Sequence, residues 1–228
     1  MRYYFLTLFP EVFHAYFRES MMKRAVERGI LSYEVIDIRE FSENKHRKVD
    51  DYPYGGGAGM VMAPAPIVNA LKSIPEWEQL PVVYLTPGGK PFEQSDAVSF
   101  SKAPGIIFIC GHYEGIDQRV IDAYVTHEVS IGDYVLTGGE LPALTMADCI
   151  ARNLSGFLGN EESLSEESFE SCLLEYPQYT RPPVFEEMPV PDILLSGNHK
   201  AIEDWRQAKA IEKTQRVRPD LYMRYKKQ

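Results

Sequence analysis

The chain has 228 residues and a formal net charge of −9, with 44% hydrophobic and 25% charged residues. Those values suit one large soluble domain, or one domain with a small appendage, and exclude both a disordered chain and a membrane protein, since no run approaches the roughly 18 apolar residues that a span needs. The acidic balance also argues against binding nucleic acid through overall charge.

Tyr3-Tyr4-Phe5-Leu6 begins the chain as a strand, with no basic leader before it, so a cytoplasmic location is expected. Apolar residues at Val12, Phe13, Tyr16, Phe17 and Met21 predict a helix from Pro10 to Arg28, stopped by Gly29. Tyr33 to Ile38 alternates as a second strand. Phe41 to Pro66 lacks periodicity and is long for a loop, a length that tends to carry function. Within it, His46, Arg47 and Lys48 precede the glycines from Gly55 to Gly59. Basic, aromatic and glycine residues together suit a surface that meets phosphate, sugar and base, and His46, Arg47, Lys48, Gly57 and Gly59 are the candidates for RNA contact. No lysine followed by Ser or Thr trails those glycines, so this is not a phosphate-binding P-loop.

A helix over 65–73, a strand Val82 to Leu85 and a turn Thr86-Pro87-Gly88-Gly89 follow. After a helix near Glu93 to Ser101, Gly105 to Cys110 reads as a strand buried on both faces and runs into Gly111-His112-Tyr113-Glu114-Gly115. A helix to Tyr124 and a strand over 126–131 lead to Ser130-Ile-Gly-Asp-Tyr-Val-Leu-Thr-Gly-Gly-Glu-Leu-Pro142, then a helix to Leu154. This alternation predicts an α/β fold with a mostly parallel sheet. Three strands ending in glycine-containing loops predict a nucleotide-sized pocket at the carboxyl edge of that sheet. Its side chains, Glu114, Asp133 and Glu140, are acidic, which favours a positively charged ligand over a triphosphate. Cys110, Cys149 and Cys172 are three, far apart and without a Cys-x-x-Cys pair, so neither zinc, nor any other metal site, nor a disulfide framework is expected.

Ser, Gly, Asn and Glu dominate 155–180, a linker composition, with Glu166-Glu167-Ser168-Phe169 inside it. From Ser155 to Asp192 there are nine acidic residues and one basic, Arg181; from His199 to Gln228 nine basic stand against four acidic, a local balance of +5. The last stretch reads as helical, with Ile202, Trp205 and Ile211 on one side. Arg206 and Lys209 belong to its basic face and are further RNA candidates.

Four of these motifs resemble, in order, those of the bacterial tRNA (guanine-N1)-methyltransferases, the TrmD type of the SPOUT methyltransferases. They are Asp51 to Met60, Gly111 to Arg119, Ser130 to Pro142 and Tyr179-Thr-Arg-Pro182. The resemblance spans essentially the whole chain. It implies a knotted α/β domain over 1–159 with a C-terminal deep trefoil knot, a linker or lid over 160–176 and a small helical tRNA-binding domain over 177–228. It also implies a homodimer, S-adenosylmethionine as methyl donor, magnesium for activity without a visible carboxylate cage, and tRNA as substrate. The cofactor would be held by Tyr84, Leu85, Thr86 and Pro87, by Gly111, Tyr113, Glu114 and Gly115, and by Ser130, Ile131, Gly132, Tyr134, Leu136, Gly138, Gly139 and Pro142. Glu167 stands where the family has its aspartate general base, with Glu166 as a stand-in, and Arg152 matches the arginine that offsets charge on guanine O6. The reaction implied is methylation of N1 of the guanosine immediately 3′ of the anticodon, position 37. The rivals are a SPOUT enzyme acting on another RNA position and a non-catalytic RNA-binding protein.

Overall fold

Strand interiors rich in Ile, Val, Phe and Tyr, spaced by helices, assemble an all-parallel five-stranded sheet. The computed structural model describes residues 1–159, 168–169 and 171–227, in two units, Met1–Gly159 and Asn160–Gln228. The first unit runs β1 (Arg2–Thr7), α1 (Pro10–Phe17), α2 (Ser20–Glu27), β2 (Ser32–Asp37), the short pair β3 (Asp50–Asp51) and β4 (Val61–Met62), and α3 (Pro64–Lys72). It continues with β5 (Val82–Pro91), α4 (Gln94–Phe100), β6 (Gly105–Cys110), α5 (Gln118–Tyr124), β7 (His127–Ser130) and α6 (Glu140–Ala151). The sheet order is β2-β1-β6-β5-β7.

Alternate residues of each strand face opposite sides of a sheet, and both sides are covered here. Tyr3, Phe5 and Phe108 pack with α1, α4 and α6 on one side; Tyr4, Leu6, Ile107 and Ile109 pack with α3 and α5 on the other. Phe5 stacks on Phe13 at 4.2 Å and on Phe108 at 5.3 Å. Cys110 is fully buried, in keeping with a small core residue, whereas Cys149 is half-buried.

Two expectations need correction. The single helix over 10–28 is two, because Phe13 and Phe17 and then Met22 and Ala25 must all reach the core. Five residues of unbroken helix from 17 to 22 would turn the apolar stripe about 140° away, and the break at Arg18–Glu19 re-aims it. The turn expected at 86–89 is instead an irregularity inside β5. Leu85 and Lys90 both pair with Val129, so Thr86 to Gly89 loop out of the ladder.

The second unit carries a hairpin of β8 (Val184–Phe185) and β9 (Met188–Pro189), then α7 (Asp192–Leu195), α8 (His199–Val217) and α9 (Pro219–Tyr225). Asn198 caps α8 by accepting from the Ala201 amide at 3.2 Å. Thr214, fully buried, accepts from the Leu174 amide at 2.8 Å and ties the preceding segment to α8. Among the described residues no helix is long and apolar enough to cross a membrane.

Candidate active site

The carboxyl ends of β5, β6 and β7 lie side by side, so the loops leaving them meet. Residues 84–87, 111–115, 129–132 and 134–139, with Pro142, line one cleft of about 230 Å³; of the three acidic side chains expected there, Glu114 lines it and Asp133 and Glu140 do not. All sixteen positions expected to hold a cofactor line it, joined by His112, Val129, Val135 and Thr137. The last loop returns against the middle one: the Gly139 amide donates to the Gly111 carbonyl at 3.0 Å, and Gly138 bridges His112. A Cβ on Gly139 would stand 2.7 Å from the Cys110 Cα, so only glycine permits this approach. The lining includes no lysine or arginine, and its exposed carboxylate is Glu114. Backbone amides and carbonyls with one carboxylate suit a ligand that has a hydrogen-bonding heterocycle and a positive charge.

Behind the cleft wall lies a feature that motif reading passed over. Glu140, the first residue of α6, is 6% exposed. His112 Nε2 donates to it, with contacts of 2.9 and 2.7 Å to its two oxygens, and Thr7 Oγ1 donates at 2.7 Å. Phe9 closes over the imidazole at 4.9 Å. The end of β1, the loop after β6 and the start of α6 are thereby clasped at one carboxylate. Burial of the nearby Cys110 thiol, reinforced by the Glu140 charge, raises its pKa. Replacing a buried acceptor of this kind costs about 1–3 kcal/mol. Glu140→Gln is expected to lower Tm by roughly 4–8 °C at about 2 kcal/mol. A scanning-calorimetry Tm within about a degree of wild type would show that the clasp does not stabilise the fold.

The glycine-rich segment after β3 borders the same cleft. Glu114 and Gly115 exchange backbone bonds with Met60 and Met62, and Gly59 (φ 85°) sits against the Glu114 side chain, which a Cβ there would push aside. Tyr113 is held at φ 60°, a left-handed conformation that costs a non-glycine residue on the order of 1 kcal/mol. Its hydroxyl pKa is raised by burial and by its hydrogen bond to Asp50. His46, Arg47 and Lys48 are exposed; Arg47 lies 3.7 Å from Glu40 and Lys48 3.2 Å from Asp51, exposed pairs that a phosphate can displace. Gly57 and Gly59 are exposed beside them.

Of the other expected residues, Arg152 is not in the cleft lining. Arg152 caps the far end of α6, ten residues or about 15 Å along the helix from Pro142. Asp148, the carboxylate one turn before it, accepts from the Tyr16 hydroxyl at 2.9 Å. Glu166 and Glu167 lie outside the described residues; the adjoining Ser168 accepts from the Glu175 amide at 3.0 Å. In the second unit, Arg206 stacks on Tyr176 and Lys209 pairs with Glu212 at 2.6 Å. Among the described residues no group of three or more His, Cys, Asp or Glu side chains could hold a metal ion.

The family model described as tRNA (Guanine-1)-methyltransferase TrmD matches residues 1–224. A tRNA (guanine-N(1)-)-methyltransferase of Clostridioides difficile (strain 630) is 57% identical over 225 residues, covering 97% of each chain. The protein of that name from Staphylococcus haemolyticus is 52% identical, over 99% of this chain and 92% of its own.

Proposed function

The chain belongs to the tRNA (guanine-1)-methyltransferase family, and on that premise we propose that it transfers a methyl group from S-adenosylmethionine to N1 of the guanosine at position 37 of tRNA. The observation that carries this reading is the cleft itself, where three glycine-containing loops converge with a carboxylate and no lysine or arginine. Glycine-containing loops that let a flat ring approach the backbone closely are suited to an adenine and ribose, and Glu114 to the sulfonium and ammonium charges. When bound, S-adenosylmethionine supplies the electrophilic methyl group. Glu167 takes the N1 proton as the ring nitrogen attacks, and Arg152 offsets the charge that grows on O6. We read residues 131–139, which return from β7 to bond Gly111, as part of the family's trefoil knot.

The active form is a homodimer in this reading. Phe9, Val12, Tyr16 and Leu141 leave apolar surface exposed around α1 and the start of α6, more than isolated surface residues require. Arg152 ends α6 about 15 Å from Pro142, a separation that supports its serving the cleft of a second copy. The described residues do not fit a magnesium cage.

Transcripts that differ only in guanosine or adenosine just 3′ of the anticodon test the reaction. N1-methylguanosine is expected from the first alone, with labelled S-adenosylmethionine as donor. Transfer to both, or to a ribose oxygen, would move the enzyme to another RNA target; cofactor binding without transfer would make it a binding protein.

A further inference from the structure

The second unit holds a cleft of about 820 Å³ between the 176–183 segment and α8, larger than the one at the sheet edge. Three aromatic rings and two arginines share its wall with prolines and aliphatic side chains. Tyr179 and Trp205 meet at 56° with centroids 6.3 Å apart, forming a corner, and Tyr179 is half exposed. The Arg206 guanidinium lies 4.8 Å over the Tyr176 ring. Its Nε is buried with no hydrogen-bond acceptor among the described residues, and its one carboxylate neighbour, Glu203, is 4.0 Å away at another nitrogen. Arg181 joins it in the wall, and no aspartate or glutamate lines the cleft.

A cleft that offers ring faces and two guanidinium groups is complementary to a flat, anion-bearing ligand. We propose that it seats one unpaired nucleobase of the tRNA substrate, with the adjoining phosphate on the arginines. The base stacks in the Tyr179–Trp205 corner, a contact that tolerates any base because each has a π face. The phosphate accepts from Arg206 and Arg181, whose planar forks suit it better than a lysine would. The +5 balance of residues 199–228 belongs to the segment that holds α8, which gives this cleft Ile202, Trp205 and Arg206. This inference rests on tRNA being the substrate.

Trp205 reports on it directly, since Trp77 is the only other tryptophan. In the full-length Trp77→Phe protein, an anticodon stem-loop RNA is expected to quench Trp205 fluorescence saturably, at the concentration where filter binding saturates. A blunt duplex of equal length, having no unpaired base, is expected to leave it unquenched. Arg206→Lys, which keeps the charge and loses the fork, is expected to raise KM for tRNA about tenfold with kcat and S-adenosylmethionine affinity unchanged. RNA binding and methyl transfer without quenching, with Arg206→Lys at wild-type KM, would overturn the cleft assignment while leaving the enzyme reading intact. A Trp205 signal that follows protein concentration rather than RNA would overturn it in favour of a second copy of the chain. Absence of both RNA binding and methyl transfer would sink the underlying reading and this inference with it.

Discussion

Glu167→Gln is expected to lower kcat for methyl transfer about a thousandfold, with KM for tRNA and affinity for S-adenosylmethionine within about twofold of wild type. N1 of guanine carries a proton until its lone pair is needed, so a carboxylate must accept that proton as the carbon–nitrogen bond forms. Gln keeps the size of the side chain and removes its basicity, which confines the loss to the chemical step. Glutamate reaches one methylene farther than the aspartate found in the family, and a misplacement of about 1 Å can cost a hundredfold in rate. Glu167→Asp is therefore expected to hold or raise kcat. Single-turnover methylation of a guanosine-37 transcript reads both variants. A Glu167→Gln rate within about tenfold of wild type would reassign the proton to another acceptor, Glu166 first.

Arg152→Ala is expected to lower kcat about a hundredfold to a thousandfold, the usual loss when one donor to a developing oxyanion is removed. Its position makes a sharper statement possible. Pro142 lines the cleft at one end of α6 and Arg152 ends the same helix about 15 Å away; on the homodimer proposal, each site is expected to take its cleft and its arginine from different chains. Gly139→Val disables the cleft, because any Cβ there meets the Cys110 backbone. Mixing Arg152→Ala with Gly139→Val protein and allowing subunits to exchange should restore activity. About half of the mixed dimers' sites then hold an intact cleft and an intact arginine, and neither variant alone has any. Failure to complement, with exchange verified by a tag, would place the arginine in its own chain's site or outside the reaction.

Much of the site was readable before any coordinates. Glycine records what the backbone must do, a close approach at Gly139 or a positive φ at Gly59, and that requirement is local to the residue. Strand and helix periodicity is local as well, which is why the α/β alternation and the loops at the strand ends could be placed in order. The sixteen cofactor positions follow from the family resemblance; fifteen lie in β5, at the end of β7 or in the loops after β6 and β7, and Pro142 lies in α6.

Contacts between distant segments carry no such signature. Thr7 and Glu140 are 133 residues apart and His112 and Glu140 28, so neither spacing marks the buried clasp they form. The insertion of β6 between β1 and β5, the break that divides α1 from α2, and the bulge at Thr86–Gly89 are likewise decided by which surfaces pack. The chain's own order thus determined most of the elements, the glycine loops and the one carboxylate of the cleft, Glu114. Tertiary structure alone decided strand order, the carboxylate clasp and the distance of Arg152 from the cleft, because burial energy depends on neighbours in space rather than along the chain.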